Sequence, residues 1–176
     1  LLVAAELGDD ARHHVVGRDR AAQRAPAVGQ LLHEDEIRRE IQRLGVEKRV
    51  VLLGNCSHEE IIGLLSVCHI FVRPSIREGL GSSFLEAMAM GVPIVATSVG
   101  GIKDFLVDGE TGMACGPRDA PSIAQAILRY EDQLIYSKIQ TTGRMMVEKR
   151  FNWDGIAEEM KGIFISLTPT ILKSPT

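Results

Sequence analysis

Residues 69–97 read HIFVRPSIREGLGSSFLEAMAMGVPIVAT, and their reading decides the fold. His69 to Arg73 is a β-branched and aromatic run closed by Pro74-Ser75, as a strand would be. Glycines Gly79 and Gly81 open the following loop, and Ser82 to Met90 form a helix candidate ending at Gly91. Val92 to Thr97 is again strand-like. A strand, a glycine loop, a helix and a second strand make a βαβ unit, which requires parallel strands and a right-handed crossover.

The same alternation runs outward in both directions. Upstream, Leu1, Leu2, Ala5 and Leu7 read as the tail of an amphipathic helix, and His13 to Gly17 as a strand. Residues 18–33 contain Pro26 and Gly29 and read as loop. Ile37, Ile41 and Leu44 mark a helix from Glu34 to Leu44, and Arg49 to Gly54 reads as a strand. Ser57 with Glu60 three residues on spells a capping box before Ile61, Leu64 and Leu65. Downstream, Gly100-Gly101 opens a short helix and Thr111 to Cys115 is a last strand. Helices are expected at about 121–130, 133–150 and 153–165. The fold class is therefore α/β, a Rossmann-like doubly wound parallel sheet. Residues 1–167 are expected to form one domain and 168–176 a disordered tail. The pattern begins as if cut from something longer, with the first strand of the sheet missing.

Composition narrows the function. The 176 residues carry a net charge of −3, with no basic patch suited to nucleic acid. Three cysteines, Cys56, Cys68 and Cys115, are too few and scattered for a disulfide framework or metal site, which favours a reducing, cytoplasmic setting. The histidines His13, His14, His33, His58 and His69 show no metal-ligand spacing. No apolar run approaches the roughly 18 residues of a membrane span.

In such a sheet, ligands bind beyond the carboxyl ends of the strands, where the loop 74–81 lies. Its glycines allow close backbone approach. The helix that follows offers unpaired amides and a positive dipole end, which suit a phosphate, with Ser82 and Ser83 adding hydroxyls. The same residues also fit a tight turn with a serine cap. Glu86 favours a ligand: the helix around it is apolar on nearly every side, and a carboxylate there needs partners, the alternative being a glutamate on an exposed strip. Ribose hydroxyls are suitable ones, at about 6 Å along the axis from the helix start. Glu78, eight residues earlier, stands where it can take the other end of a ligand.

Glu78 and Glu86 form an E-x7-E motif within PSIREGLGSSFLEAMAMGVPIVAT, followed by VGGIKDFLVDGETGMACGPRD and FNWDGIAEEM. These stretches resemble the retaining glycosyltransferases of the GT-B type, family 4 (glycosyl transferases group 1), and specifically their C-terminal donor-binding domain. The resemblance runs from about His13 to Ile165. It implies binding of a nucleoside diphosphate sugar for retaining transfer to an acceptor hydroxyl, without a cofactor or metal ion. It casts Glu78 as the catalytic residue, hydrogen-bonded to hydroxyls of the donor sugar, with Gly79, Leu80 and Gly81 lining sugar and phosphate. Ser82 and Ser83 would meet the diphosphate, and Glu86 would hold the ribose. Gly17 and Asn55 would border the base. Gly100-Gly101 either keeps room beside the sugar or simply turns strand into helix.

The family's basic pair on the first strand and loop would precede Leu1, as would the N-terminal acceptor domain. By that alignment these residues alone bind donor without completing a reaction centre, and the full-length enzyme is cytoplasmic or membrane-associated. Gly17-Arg18-Asp19 replaces a glycine-acid-glycine turn, and Asp104 stands where the family has glutamate after the glycine pair. Two other readings compete: a nucleotide-sugar epimerase of related fold, which would need acids and a histidine suited to elimination, and a non-catalytic nucleotide-sugar-binding module. An acceptor domain encoded upstream would favour the transferase over the module.

Overall fold

The computed structural model describes residues 31–171. The chain divides into two compact units, Leu1–Val72 and Arg73–Thr176. The helix tail expected in residues 1–7 and the strand expected at 13–17 lie outside the described residues.

In the first unit, α1 spans Leu31–Leu44 and α2 His58–Leu65. Surface ion pairs Glu34–Arg38 and Glu40–Arg43 run along α1, and Gly45 (φ 65°) follows its last turn. The capping box of α2 is present in full: the Glu60 amide donates to Ser57 Oγ at 3.3 Å and the Ser57 amide to Glu60 Oε2 at 2.6 Å. Residues 49–54, expected as a strand, are not one. A parallel strand exists only through the ladder it shares with neighbours, and an interior one is buried on both faces. Val51 is instead 46 % exposed, and among the described residues this segment joins no ladder.

Strand β1, Phe71–Arg73, spans the boundary and leads into the second unit. There follow α3 (Ser82–Ala89), β2 (Ile94–Thr97), a 3-10 turn (Gly100–Asp104), β3 (Met113–Cys115), α4 (Ala120–Leu128), α5 (Gln133–Arg150) and α6 (Trp153–Ile171). The observed α6 extends into the segment expected as a tail. Every residue of β2 is buried, as a strand covered on both faces must be. β2 pairs parallel with β3, Val95 opposite Met113 and Thr97 opposite Cys115. This confirms the α/β class with a parallel sheet.

The core is built from spacing. Phe84, Ala87 and Met88, at i, i+3 and i+4, form the buried face of α3, which packs against α5. Gly143 of α5 permits the approach, since a Cβ there would lie 3.3 Å from Met88 Cε and 3.1 Å from Thr111 O. Phe84, Phe105 and Phe151 continue the cluster, with ring centroids 6.1 and 6.3 Å apart. Asp108 accepts the Ala114 amide at 2.9 Å and pairs with Arg129, tying the turn before β3 to the end of α4.

Tyr130 is buried and donates to Ile94 O at 2.8 Å. Burial pushes its phenol pKa well above the ordinary value. A raised phenol pKa favours the protonated folded state, so this contribution is intact below the unfolded pKa of about 10 and is lost as pH climbs above it. Tyr130→Phe should therefore lose about 1 kcal/mol near neutrality, and should fall less than the parent protein between about pH 8 and pH 11. Urea denaturation at the two pH values checks this; equal alkaline losses would contradict it.

Candidate functional site

The loop joining β1 to α3 is held from below by the carboxyl end of β2. The Thr97 hydroxyl, fully buried, donates to the Ser75 carbonyl. Two residues past a short bend, Gly101 donates its amide to Gly79 O at 2.9 Å. The loop backbone lies so close to the glycine pair that no side chain fits: a Cβ on Gly100 would stand 1.9 Å from Glu78 O, and one on Gly101 2.3 Å from Gly79 O. Gly100-Gly101 thus does more than turn the chain. It is the seat on which residues 78–80 rest, which positions them at the carboxyl edge where α/β sheets bind ligands.

Glu78 is the best-anchored acid of this loop. Its side chain is 16 % exposed and its Oε2 lies 3.1 Å from Arg73 Nη2. The Ser75 hydroxyl donates to the same oxygen at 3.3 Å, and the Gly79 amide to Oε1 at 3.3 Å. A carboxylate has about four lone-pair sites, so with three partners Glu78 keeps capacity for a ligand hydroxyl.

Helix α3 starts without a serine cap. Its N-cap is Gly81, in the left-handed region at φ 74°, with no side-chain hydrogen bond to the first turn. A Cβ at Gly81 would lie 2.9 Å from the Phe84 ring and 3.2 Å from Glu78 Cγ, so this position also demands glycine. Ser83 does not cap; its Oγ accepts from Arg73 Nη1 at 2.8 Å. The tight turn with a serine cap is thereby set aside, and the first-turn amides keep the geometry that suits an anion.

Glu86 follows Ser83 by three residues and Ser82 by four, so all three lie on one face of α3, with Glu86 about 4.5–6 Å further along the axis. It is half-buried, and among the described residues its carboxylate has no hydrogen-bond or ion-pair partner. The expectation that α3 is buried all round needs correcting. Phe84, Ala87 and Met88 are buried, while Leu85 and Glu86 are half-buried and Ala89 and Met90 exposed. The α5 contact covers one side only, leaving the Ser82–Glu86 face partly open.

Among the remaining candidates, Gly79, Leu80 and Ser82 are exposed in the second unit. Asn55 is exposed in the first unit, between Gly54 and α2, and Gly17 lies outside the described residues. Arg73 and Thr97 were not singled out by sequence. Their signal was position alone: each is the last residue of a strand at the carboxyl edge. Among the described residues no group of three His, Cys, Asp or Glu side chains is arranged to hold a metal ion. Cys115 is buried, which pushes its thiol pKa up and makes it a poor nucleophile. No helix of the described residues is long and apolar enough to cross a membrane.

Comparison with known proteins identifies the family and the fold. The family model for glycosyl transferases group 1 matches residues 2–144. N-acetyl-alpha-D-glucosaminyl L-malate synthase of Bacillus anthracis is 31 % identical over 125 residues, covering 70 % of this chain and 32 % of that protein. Glycogen synthase of Mycobacterium tuberculosis is 29 % identical over 115 residues, 65 % of this chain and 28 % of the relative. The chain thus spans about a third of the length of the curated relatives it matches. Among solved structures, Anabaena HepE in complex with UDP and glucose superposes with a TM-score of 0.73 at 27 % identity, covering 80 % of this chain and 38 % of HepE. Sucrose-phosphate synthase of Thermosynechococcus elongatus gives 0.70 at 31 %, covering 79 % and 35 %. The chain belongs to the glycosyl transferases group 1 family, with the fold of a GT-B glycosyltransferase domain.

Proposed function

We propose that residues 75–86 form the donor site for a nucleoside diphosphate sugar, used in retaining transfer of the sugar to an acceptor hydroxyl without a metal ion. The observation that carries this reading is the pairing of an anchored acid, Glu78, with an uncapped helix start at Gly81–Ser82 on one glycine-seated loop. In this reading the sugar hydroxyls donate to the remaining lone pairs of Glu78. The diphosphate sits at the first turn of α3, where amides, the Ser82 and Ser83 hydroxyls and the helix dipole offset its charge. Glu86, without a partner among the described residues and further along the same face, accepts from the ribose hydroxyls. As the anomeric bond breaks, the groups that hold the diphosphate stabilise the charge growing on it. The reading is supported by the Anabaena neighbour, solved with UDP, with UDP-glucose and with UDP and glucose.

Titration calorimetry with UDP-, GDP- and ADP-glucose tests the proposal. One of the three should bind, and Glu86→Ala should weaken it by about tenfold or more through loss of a charged hydrogen bond. Chelation with EDTA should leave the affinity unchanged. Binding unaffected by Glu86→Ala, or abolished by EDTA, would count against the corresponding part of the proposal.

A further inference from the structure

Arg73 reaches both halves of this site at once. From the last position of β1, its Nη2 lies 3.1 Å from Glu78 Oε2 and its Nη1 donates to Ser83 Oγ at 2.8 Å. The guanidinium carbon stands 6.0 Å from the centroid of the Phe84 ring. Phe84 is fully buried and therefore a fixed platform, and a guanidinium over an aromatic face is attracted to it. A strand end, a buried ring and two polar partners together leave the fork little freedom. The planar guanidinium holds its donor nitrogens in a rigid fork; a lysine ammonium is a point charge on a flexible stem and does not hold two separated partners in fixed geometry.

We propose that Arg73 is a positioning residue of the donor site, clamping the sugar-binding acid to the phosphate-binding serine. This rests on the donor-site reading above. Glu78 comes from the loop and Ser83 from the helix, so without the clamp Glu78 keeps only its 3.3 Å bonds from Ser75 and Gly79, Ser83 is released, and nothing sets the spacing between them. Arg73 fixes that spacing before the donor arrives, so less ordering remains to be done on binding. It also holds a positive charge beside both the sugar-binding acid and the first turn of α3.

The test is a double-mutant cycle read by calorimetry with the nucleoside diphosphate sugar that binds the parent protein. Arg73→Met keeps the aliphatic stem over Phe84 and should weaken binding by about tenfold, a value discounted for the half-exposed pair. Arg73→Lys should recover only part of that loss. The effect of Glu78→Gln should shrink severalfold in the Arg73→Met background, because an acid no longer held in place has less to lose. Thermal midpoints should stay close to the parent's for both Arg73 variants, since the side chain is 48 % exposed. Additive effects of the two substitutions would overturn the clamp, as would parent-like affinity in Arg73→Met. In either case a loss on Glu86→Ala would show that the donor site itself stands. If no nucleoside diphosphate sugar binds the parent protein, the donor-site reading fails and the clamp falls with it.

Discussion

Gly100→Ala is expected to lower stability by roughly 3 kcal/mol or more and to remove nucleotide-sugar binding with it. Two effects add. Gly100 has φ 53°, where a Cβ is disfavoured by about 1–2 kcal/mol. The larger effect is steric: the new Cβ would lie 1.9 Å from Glu78 O, a backbone atom that cannot rotate away. Either the loop lifts off its seat, carrying Glu78 with it, or the turn after β2 distorts. Gly45→Ala is the matched control, because Gly45 has a similar φ of 65° but nothing within 4 Å of the added atom. Its loss should stay near the conformational term, about 1–2 kcal/mol. Denaturation midpoints for the two variants, with calorimetry for the second readout, check the comparison. Equal losses would mean that the glycine pair supplies conformation alone and does not seat the loop.

The second large effect is expected at Glu78. Glu78→Ala should narrow the difference in affinity between a nucleoside diphosphate sugar and the bare nucleoside diphosphate by roughly 10- to 100-fold, as one hydrogen bond to a charged group is worth about 1.5–3 kcal/mol. The bare diphosphate, held by the helix start, should lose much less. The folded state should tolerate the change, because the Arg73–Glu78 pair is partly exposed on the Arg73 side and such pairs contribute only about 0–1 kcal/mol. Parallel titrations of sugar-bearing and bare nucleotide read this out directly. A loss of equal size for both would move Glu78 away from the sugar.

Much of this architecture was legible in the residues, for identifiable reasons. Helices α3 and α5 and the box that caps α2 were readable because apolar spacing and capping chemistry are local properties. The loop 74–81 was recognisable because glycines before a helix have a mechanism attached to them. Residues 49–54 misled for the opposite reason: Val50, Val51, Leu52 and Leu53 have strand composition, but a strand is made by its neighbours. Arg73 was illegible because nothing about an arginine at a strand end says that its fork will meet Ser83, ten residues on. The seating role of Gly100-Gly101 was half legible. The pair announced a turn, but the approach of Glu78 and Gly79 from a segment some twenty residues earlier is a tertiary fact. Glu86 stood out in the sequence on the premise of a helix buried all round, whereas the helix is open on that face.

The central claim is that a nucleoside diphosphate sugar binds at the junction of the 75–81 loop and α3. Amide chemical shifts followed by NMR during titration with UDP-, GDP- and ADP-glucose test it most directly, because they locate the ligand as well as detect it. One of these ligands should shift the amides of Gly79, Gly81, Ser82 and Ser83 together in a saturable way, and Glu86→Ala should weaken that response. Saturable binding that leaves those four amides unmoved, or no binding by any of the three, would contradict it.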